Sequence, residues 1–599
     1  MAEYSVPLWD IEFVLSELAA IGAIAEYPDF ADFDVTMLSP VLEEAGRFIV
    51  GTIAPLNRSG DQQGSSWHAD GAVSTPDGFA DAYRQYVDAG WGAVPFDPTY
   101  GGGGLPWVVA IAIQEMLNSA NMSFALCPLL TQGGIDLLVN HGSEEQKETW
   151  LAKMVSGEWT ATMNLTEPDA GSDVGALRTK AQRNDDGTYS ITGQKIFITY
   201  GEHDMAENIV HLVLARTPDA PPGTKGISTF VVPKFILDDA GQPTIRNDVR
   251  CTSIEHKLGI HGSPTCVLQF GDDGGAIGYL VGEENQGMAY MFTMMNNARL
   301  SVGIQGLAIA ERAYQDAVQY AIERKQGRAI GAAAGHASAI IDHPDVRRML
   351  LTMKAYIEAM RGLAYLDAAA VDAESHHPDS DGRAAAAERS AILTPITKAW
   401  CTDLGVELTS LAVQVHGGMG FVEETGVAQH MRDARINPIY EGTNGIQALD
   451  LVARKLPMRG GGAITDLLDE IAATAEAAKE TDGLLSSMGP ALAAAEISVR
   501  ETTSTILEYM SGAPVEAFAG ATPYLKMLGQ LLGAWTLVGQ AQAAQRRLDE
   551  GEVDIRLDAK LVTAEFYCTQ LLPLGLAQKQ AAVAGAESLM VLTPEQLGV

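Results

Sequence analysis

Basic residues are scarce in this chain. Of 599 residues, 40 are Lys or Arg against 76 Asp or Glu, a formal charge of −36. Phosphate backbones and anionic bilayers require a basic face, so nucleic acid and anionic membrane surfaces are disfavoured as partners. An anionic ligand would have to be held by local cations or helix N-termini. Cysteine is scarce too. Cys127, Cys251, Cys266, Cys401 and Cys568 lie far apart; their odd count argues against a disulfide framework, and their spacing is not that of a metal site. A reducing cytoplasm is the expected location. The most apolar helix candidate, Tyr524–Val538, carries Lys526 and Gln530 and is too short to span a bilayer. The segment Met1–Phe13 lacks a basic stretch followed by an apolar one, so no signal peptide is expected.

What is present divides by periodicity, and the length allows several domains. Residues 1–160 read as helices, with Ser143-Glu144-Glu145-Gln146 as a capping box. Gly101–Gly104 lacks the Gly-Lys-Ser/Thr of a phosphate loop and reads as a flexible connection. Residues 161–282 read as a β-domain of antiparallel character. Tyr189–Thr192, Gln194–Thr199, Asn208–Arg216, Gly226–Pro233 and Cys266–Phe270 are short and rich in Ile, Val, Thr and Phe, with turn signals between them. Residues 283–456 return to helix: Gly287–Lys325, Asp345–Val371 and Ala384–Gly417. Asp372–Gly382 reads as a polar loop, and its pair His376-His377 as solvated rather than metal-binding. Pro457–Gly462 marks a boundary. Residues 463–599 form a further helical region, with apolar spacing at Ile464, Leu467, Leu468 and Ile471, and Thr522-Pro523 reads as a helix start.

The stretch Met431–Gln447, MRDARINPIYEGTNGIQ, carries the chemistry. Pro438 disfavours helix in the residue before it, so a helix ends near Ile436. A tight turn, Glu441–Gly445, follows, and helix resumes over Ile446–Leu456. One carboxylate, Glu441, therefore stands on a short loop after apolar Ile439 and Tyr440. In an apolar cleft a carboxylate becomes a candidate general base; otherwise it is an ordinary turn acid.

INPIYEGTNGIQ resembles the base loop of the acyl-CoA dehydrogenase family. MNLTEPDAGSD, at Met163–Asp173, resembles that family's flavin-binding strand and turn, and QVHGGMG, at Gln414–Gly420, a segment touching a neighbouring subunit's FAD. The resemblance spans roughly Tyr86 to Leu456. It implies an α+β, mostly α fold: an N-terminal helical domain, a middle β-domain and a helical bundle. The region after Gly462 resembles the extended bacterial branch that includes 3-methylmercaptopropionyl-CoA dehydrogenases and some long-chain enzymes.

The resemblance also implies roles. The cofactor is FAD, the reaction is α,β-dehydrogenation of an acyl-CoA thioester, and the electron acceptor is an electron-transfer flavoprotein. Glu441 matches the base; some members place it just before an arginine instead, where this chain has Ala298 before Arg299. Met163, Leu165 and Thr166 line the flavin. Ser172 meets the pyrophosphate or the coenzyme A side. Phe197, Ile198 and Thr199 cover the flavin, with Phe197 where many members have Trp. Arg324 and Gln414, His416, Gly417 and Gly418 serve a neighbour's FAD, which implies a homo-oligomer, taken as a dimer; Gln326-Gly327 replace the family's Thr-Phe. Thr443 and Asn444 close the flavin side of the loop. Asn296 (often Asp in the family), Arg299, Tyr440 and Gly442 face substrate. Two rival readings are an acyl-CoA oxidase, which gives its electrons to oxygen, and a DNA-associated flavoprotein of the same fold, which the charge disfavours.

Overall fold

The computed structural model describes residues 3–598 apart from 333, 334 and 336. Its contacts divide the chain into two compact units. One comprises Met1–Leu42, Pro106–Glu115 and Val302–Val599, the other Glu43–Leu105 and Met116–Ser301. The helices used below are α1 (Leu8–Glu17), α2 (Trp107–His141), α3 (Gly287–Glu323), α4 (Pro344–His376), α5 (Ser380–His416), α6 (Val427–Ala434), α7 (Asn444–Asp450), α8 (Gly462–Lys479), α9 (Leu484–Gly512), α10 (Pro514–Asp549) and α11 (Ile555–Phe566).

The second unit is built on an eight-stranded sheet: β1 (Trp159–Asn164), β2 (Lys180–Arg183), β3 (Tyr189–Thr199), β4 (Asn208–Ala215), β5 (Ser228–Pro233), β6 (Val249–Ile254), β7 (Thr265–Phe270) and β8 (Ala276–Leu280). The order is β6-β7-β3-β8-β5-β4-β1, with β2 on β3. Every residue of β4 and β5 is buried, the polar Asn208, His211, Ser228 and Thr229 included. Three sequence expectations are corrected here. Tyr189–Thr192 and Gln194–Thr199 are a single strand. β1 pairs with β4 in parallel, Trp159 opposite Asn208 through Asn164 opposite Val213, so the sheet is not wholly antiparallel. The strands β2, β6 and β8 were not read from the sequence: β2 and β6 carry many polar residues, and β8 is only five residues long. The capping box at Ser143 and Gln146 is present, opening a helix over Glu144–Ser156. The glycines at 101–104 are not a loose connection: Gly102, Gly103, Gly104 and Leu105 each donate a backbone bond into Ala93–Asp97, at 2.9–3.1 Å.

In the first unit α4 and α5 run as a long hairpin, and α10 lies against both. Arg361, 1% exposed, donates to Glu115 Oε1 (2.7 Å) and Glu311 Oε2 (3.0 Å), while Tyr365 donates to Glu115 Oε2 (2.6 Å). Removing one member of such a buried cluster leaves charge without compensation. Arg361→Met is therefore expected to cost about 3–5 kcal/mol, read as a large drop in the thermal unfolding midpoint.

The polar loop expected at Asp372–Gly382 is much shorter. α4 runs on to His376 and α5 begins at Ser380. Asp372 is buried and accepts the Trp107 and Val108 N–H groups at 2.7 and 2.9 Å, capping the start of α2 from another helix. Burial pushes its carboxyl up to about 7, against the pull of those two donors. The folded protein thus binds this proton more tightly than the unfolded chain. The resulting stability is fully present below pH ~4 and is lost as pH rises through about 7. Asp372→Asn is expected to flatten the fall of the unfolding free energy between pH 5 and 7, by up to about 1.4 kcal/mol per pH unit. An unchanged slope would contradict this. His376 pairs with Asp29 at 2.8 Å.

Residues 463–598 fold against α4 and α5. A Cβ on Gly529 would stand 2.5 Å from Trp400 Cγ, and one on Gly533 2.4 Å from the Tyr567 hydroxyl, so α10 approaches where only glycine fits. Buried Lys560 on α11 joins Glu358 (3.0 Å), Gln540 (2.9 Å) and, on α1, Asp10 (2.8 Å). Pro523 does not start a helix as expected: α10 begins at Pro514 and Pro523 lies inside it. Its neighbours Gly520, Ala521, Tyr524 and Leu525 are buried, and that packing outweighs one lost backbone bond. Nor is Tyr524–Val538 the most membrane-like stretch. Among the described residues only α2 is long and apolar enough to cross a bilayer, and 89% of its most apolar window is buried in the protein.

Candidate active site

In the second unit the chain leaves β1 at Asn164 and turns through Leu165, Thr166 and Glu167. Thr166 O accepts the Ile196 N–H at 3.0 Å, joining this turn to the last third of β3. Lys195, fully buried, donates from Nζ to Leu165 O (3.0 Å) and Glu167 Oε1 (2.8 Å). Glu167 also accepts from Thr179 Oγ1 (2.6 Å), Thr179 N (3.1 Å) and Arg178 N (2.6 Å). Burial would raise the Glu167 carboxyl, but Lys195 and these donors hold it below its ordinary value. Burial in turn draws the Lys195 ammonium down to about 8, with Glu167 opposing.

The structure therefore brings Met163, Leu165 and Thr166 together with Phe197 and Thr199. Phe197 sits in the left-handed region at φ 59° and is 57% exposed. That conformation is unfavourable for a residue with a Cβ, and it holds an aromatic face outward where a planar ring can stack. Ile198 points the other way, into the sheet core, and offers only its backbone. Ser172 lies on an exposed turn. Met163 also packs with Leu129, Leu130 and Ala298, which sets α3 beside this face. One residue on, the buried Arg299 guanidinium lies 5.8 Å from the Phe292 ring centroid and reaches exposed Asn296 Oδ1 at 3.5 Å.

In the first unit Glu441 stands between α6 and α7 at φ 55°, followed by Gly442 at φ 82°. A glycine is required at 442 because two consecutive left-handed residues close the turn. Pro438 O accepts the Asn444 N–H at 3.0 Å, and Thr443 Oγ1 caps α7 by accepting the Ile446 N–H at 3.3 Å. The Tyr440 hydroxyl donates to Gln305 Oε1, with Asn437 Oδ1 3.2 Å away. Burial, and then the nearby Glu441 charge, push this phenol far above its ordinary value, so it remains a donor. Lys398, fully buried on α5, donates from Nζ to Gly442 O and Asn444 Oδ1, both at 2.8 Å. The Asn444 amide donates back to Ala399 O (3.0 Å), Thr402 Oγ1 (3.0 Å) and Asp403 Oδ1 (2.7 Å).

The remaining predicted residues of this unit gather at another place. His416 is buried at the end of α5, its ring stacked on Tyr320 with centroids 4.3 Å apart. Its Nδ1 lies 2.8 Å from Ala412 O, and burial lowers its basicity. Tyr320 O accepts the backbone N–H of Arg324 at 2.8 Å, so Arg324 follows one helical turn beyond. Arg324, Gln414, Gly417 and Gly418 are exposed, and Phe421 beside them is 89% exposed. Lys195, Glu167, Gln305, Lys398 and Gln447 were not read from the sequence as site residues. The one available signal was a lone lysine in an apolar helical run, and composition does not say what such a lysine faces.

Glu441 thus stands on a clamped loop in one unit, and in the other the Phe197 ring is exposed beside a strand turn. Family models match along the chain: "Acyl-CoA dehydrogenase, N-terminal domain" over residues 41–158, "middle domain" over 162–272, "C-terminal domain" over 285–456, and "Acetyl-CoA dehydrogenase C-terminal like" over 467–593. The chain belongs to the acyl-CoA dehydrogenase family and is an FAD-dependent oxidoreductase.

Among its relatives, 3-methylmercaptopropionyl-CoA dehydrogenase of Ruegeria pomeroyi is 45% identical over 587 residues, 98% of this chain and 99% of that protein. Broad-specificity linear acyl-CoA dehydrogenase FadE5 of Mycobacterium tuberculosis is 35% identical over 597 residues, 96% of each chain. Among solved structures, an acyl-CoA dehydrogenase complexed with FAD from Bacillus anthracis shares the fold at a TM-score of 0.74. Its identity is 22%, covering 95% of this chain and 91% of that one.

Proposed function

We propose that the protein desaturates an acyl-CoA thioester between Cα and Cβ, and that Glu441 is its base. The observation that carries the reading is the Glu441 loop, a carboxylate held at φ 55° by bonds to the backbone on its C-terminal side. The thioester carbonyl acidifies the α-proton; Glu441 takes that proton and becomes neutral. Bound FAD supplies the two-electron acceptor for the hydride that leaves the β-carbon. The exposed Phe197 ring, the Thr199 hydroxyl and the backbone of Leu165 and Thr166 fit the flavin, and Lys195 fixes their spacing. Asn296, Arg299, Tyr440 and Gly442 are assigned to the substrate side, Ser172 to the phosphates, and Thr443 and Asn444 to the loop's flavin face. Electrons are assigned to an electron-transfer flavoprotein.

The substrate proposed first is 3-methylmercaptopropionyl-CoA, with a fatty acyl-CoA as the alternative; the relatives' names support both. The test is anaerobic mixing of the holoenzyme with a panel of acyl-CoA thioesters, followed by timed exposure to air. Flavin bleaching that persists in air until an electron-transfer flavoprotein is added supports a dehydrogenase. Prompt reoxidation makes it an oxidase, and no bleaching with any thioester overturns the reading.

Arg324, Gln414, Gly417 and Gly418 are exposed beside Phe421, which supports their serving a second copy's FAD. A dimer is therefore expected by sedimentation at micromolar concentration, closed two-fold pairs being the commonest assembly. A stable FAD-loaded monomer would contradict it. The cytoplasm is the proposed location, supported by five cysteines that are all buried and unbridged.

A further inference from the structure

We propose that Lys398 is the positioning residue that aims the Glu441 carboxylate; the proposal rests on Glu441 being the base. Glu441 occupies a left-handed conformation that a residue with a Cβ disfavours, so surrounding bonds must hold it there. The two peptide carbonyls at and after Glu441 are both captured. Lys398 Nζ reaches Gly442 O at 2.8 Å, and Gln447 Nε2 reaches Glu441 O at 3.3 Å and Gly442 O at 3.4 Å. The same ammonium holds Asn444 Oδ1 at 2.8 Å, and the Asn444 amide is tied to three acceptors on α5. One cation therefore fixes the base loop on both sides of Thr443 to a helix buried in the bundle.

Lys398 is fully buried. An apolar side chain of that length would pack there without desolvating a charge. What the ammonium adds is two charge-assisted bonds, which are shorter and stronger than neutral ones, both to residues within three positions of Glu441. Gln447, one turn into α7, adds neutral bonds to the same carbonyls from the other side. Neither residue is assigned a contact with substrate or flavin. Their effect is on where the carboxylate points, and a displacement of about 1 Å in such a group costs up to ~10²-fold in rate.

The test compares Lys398→Met, Lys398→Arg and Gln447→Met holoenzymes by four readouts. These are the limiting rate of flavin reduction under anaerobic conditions, the acyl-CoA dissociation constant, FAD per chain, and amide exchange across residues 439–445. Lys398→Met is expected to lower the limiting rate about 10²-fold, with substrate affinity within about threefold of wild type. Exchange at Gly442–Asn444 should rise. Lys398→Arg should recover about a tenfold share of the lost rate, since guanidinium restores charged donors. Gln447→Met should lose rate in the same sense by a smaller factor.

A folded, FAD-loaded Lys398→Met protein that reduces its flavin at the wild-type rate would overturn the proposal. So would a loss confined to stability or FAD content, with the rate per flavin unchanged. If Lys398→Met does not fold, wild-type rates in both Lys398→Arg and Gln447→Met overturn it. Glu441→Gln separates the two levels. If Glu441→Gln is inactive while Lys398→Met is normal, only the positioning role fails; if Glu441→Gln reduces flavin normally, the base assignment fails and the positioning role falls with it.

Discussion

Glu441→Gln is expected to retain FAD and bind acyl-CoA, yet to reduce its flavin several orders of magnitude more slowly. Loss of a placed base typically costs ~10²–10⁴-fold, and more where no other group can take the proton. The amide matches the carboxylate in shape. The bonds from Lys398 and Gln447 run to the carbonyls of Glu441 and Gly442 and to the Asn444 side chain, groups that the substitution retains. The other location for a base in this family, just before the arginine, is occupied by Ala298, which packs with Leu129, Leu130 and Met163 and carries no titratable group. Stopped-flow bleaching of the flavin by a saturating thioester reads the effect directly. A variant that bleaches at near the wild-type rate would sink the assignment.

Removing residues 463–599 is expected to give a protein that aggregates, or shifts to a higher oligomer, and holds little FAD. α10 and α11 cover the α4–α5 hairpin closely. Trp400, 3% exposed, lies against Gly529 and Gly533. The Tyr567 ring packs edge-on to Tyr356 at 5.6 Å, and Thr536 and Gln540 donate to Ala359 O (3.3 Å) and Glu358 O (3.1 Å). Truncation bares this apolar face, of the kind that drives association in soluble proteins. It also removes Lys560 from Glu358 and Asp10, and breaking a buried ion pair costs about 3–5 kcal/mol. Light scattering, the melting temperature and FAD per chain measure the outcome. A soluble truncated protein with unchanged FAD content, stability and acyl preference would show that the region is an independent appendage.

The stretch around Glu441 was legible in the sequence because its pattern is local. Pro438 ends a helix, Gly442 permits a turn, and a carboxylate stands between, so the loop and its Glu441 follow from residue types within about ten positions. The long helices α3, α4 and α5 were legible for the same reason, through spacing repeated over many turns. Their ends were not. Asp372 reads as a loop acid beside His376 and His377, whereas the helix continues past it because its carboxylate caps α2, a partner 264 residues away. Pro523 reads as a helix start, but burial on both sides of it carries α10 through.

By itself, then, the sequence determined the Glu441 loop, the segments proposed to meet the flavin, the family and the course of the main helices. Each is written in short-range pattern or in ordered motifs. Tertiary structure alone decided which buried charges hold those segments. Lys195 with Glu167, Lys398 with Asn444, and Lys560 with Glu358 and Asp10 are pairings across 28 to 550 positions. A lysine's spacing from its neighbours does not encode its partner. Desolvation makes an unmatched charge costly wherever the fold encloses it, so the partner is selected by the packing that brings it within reach.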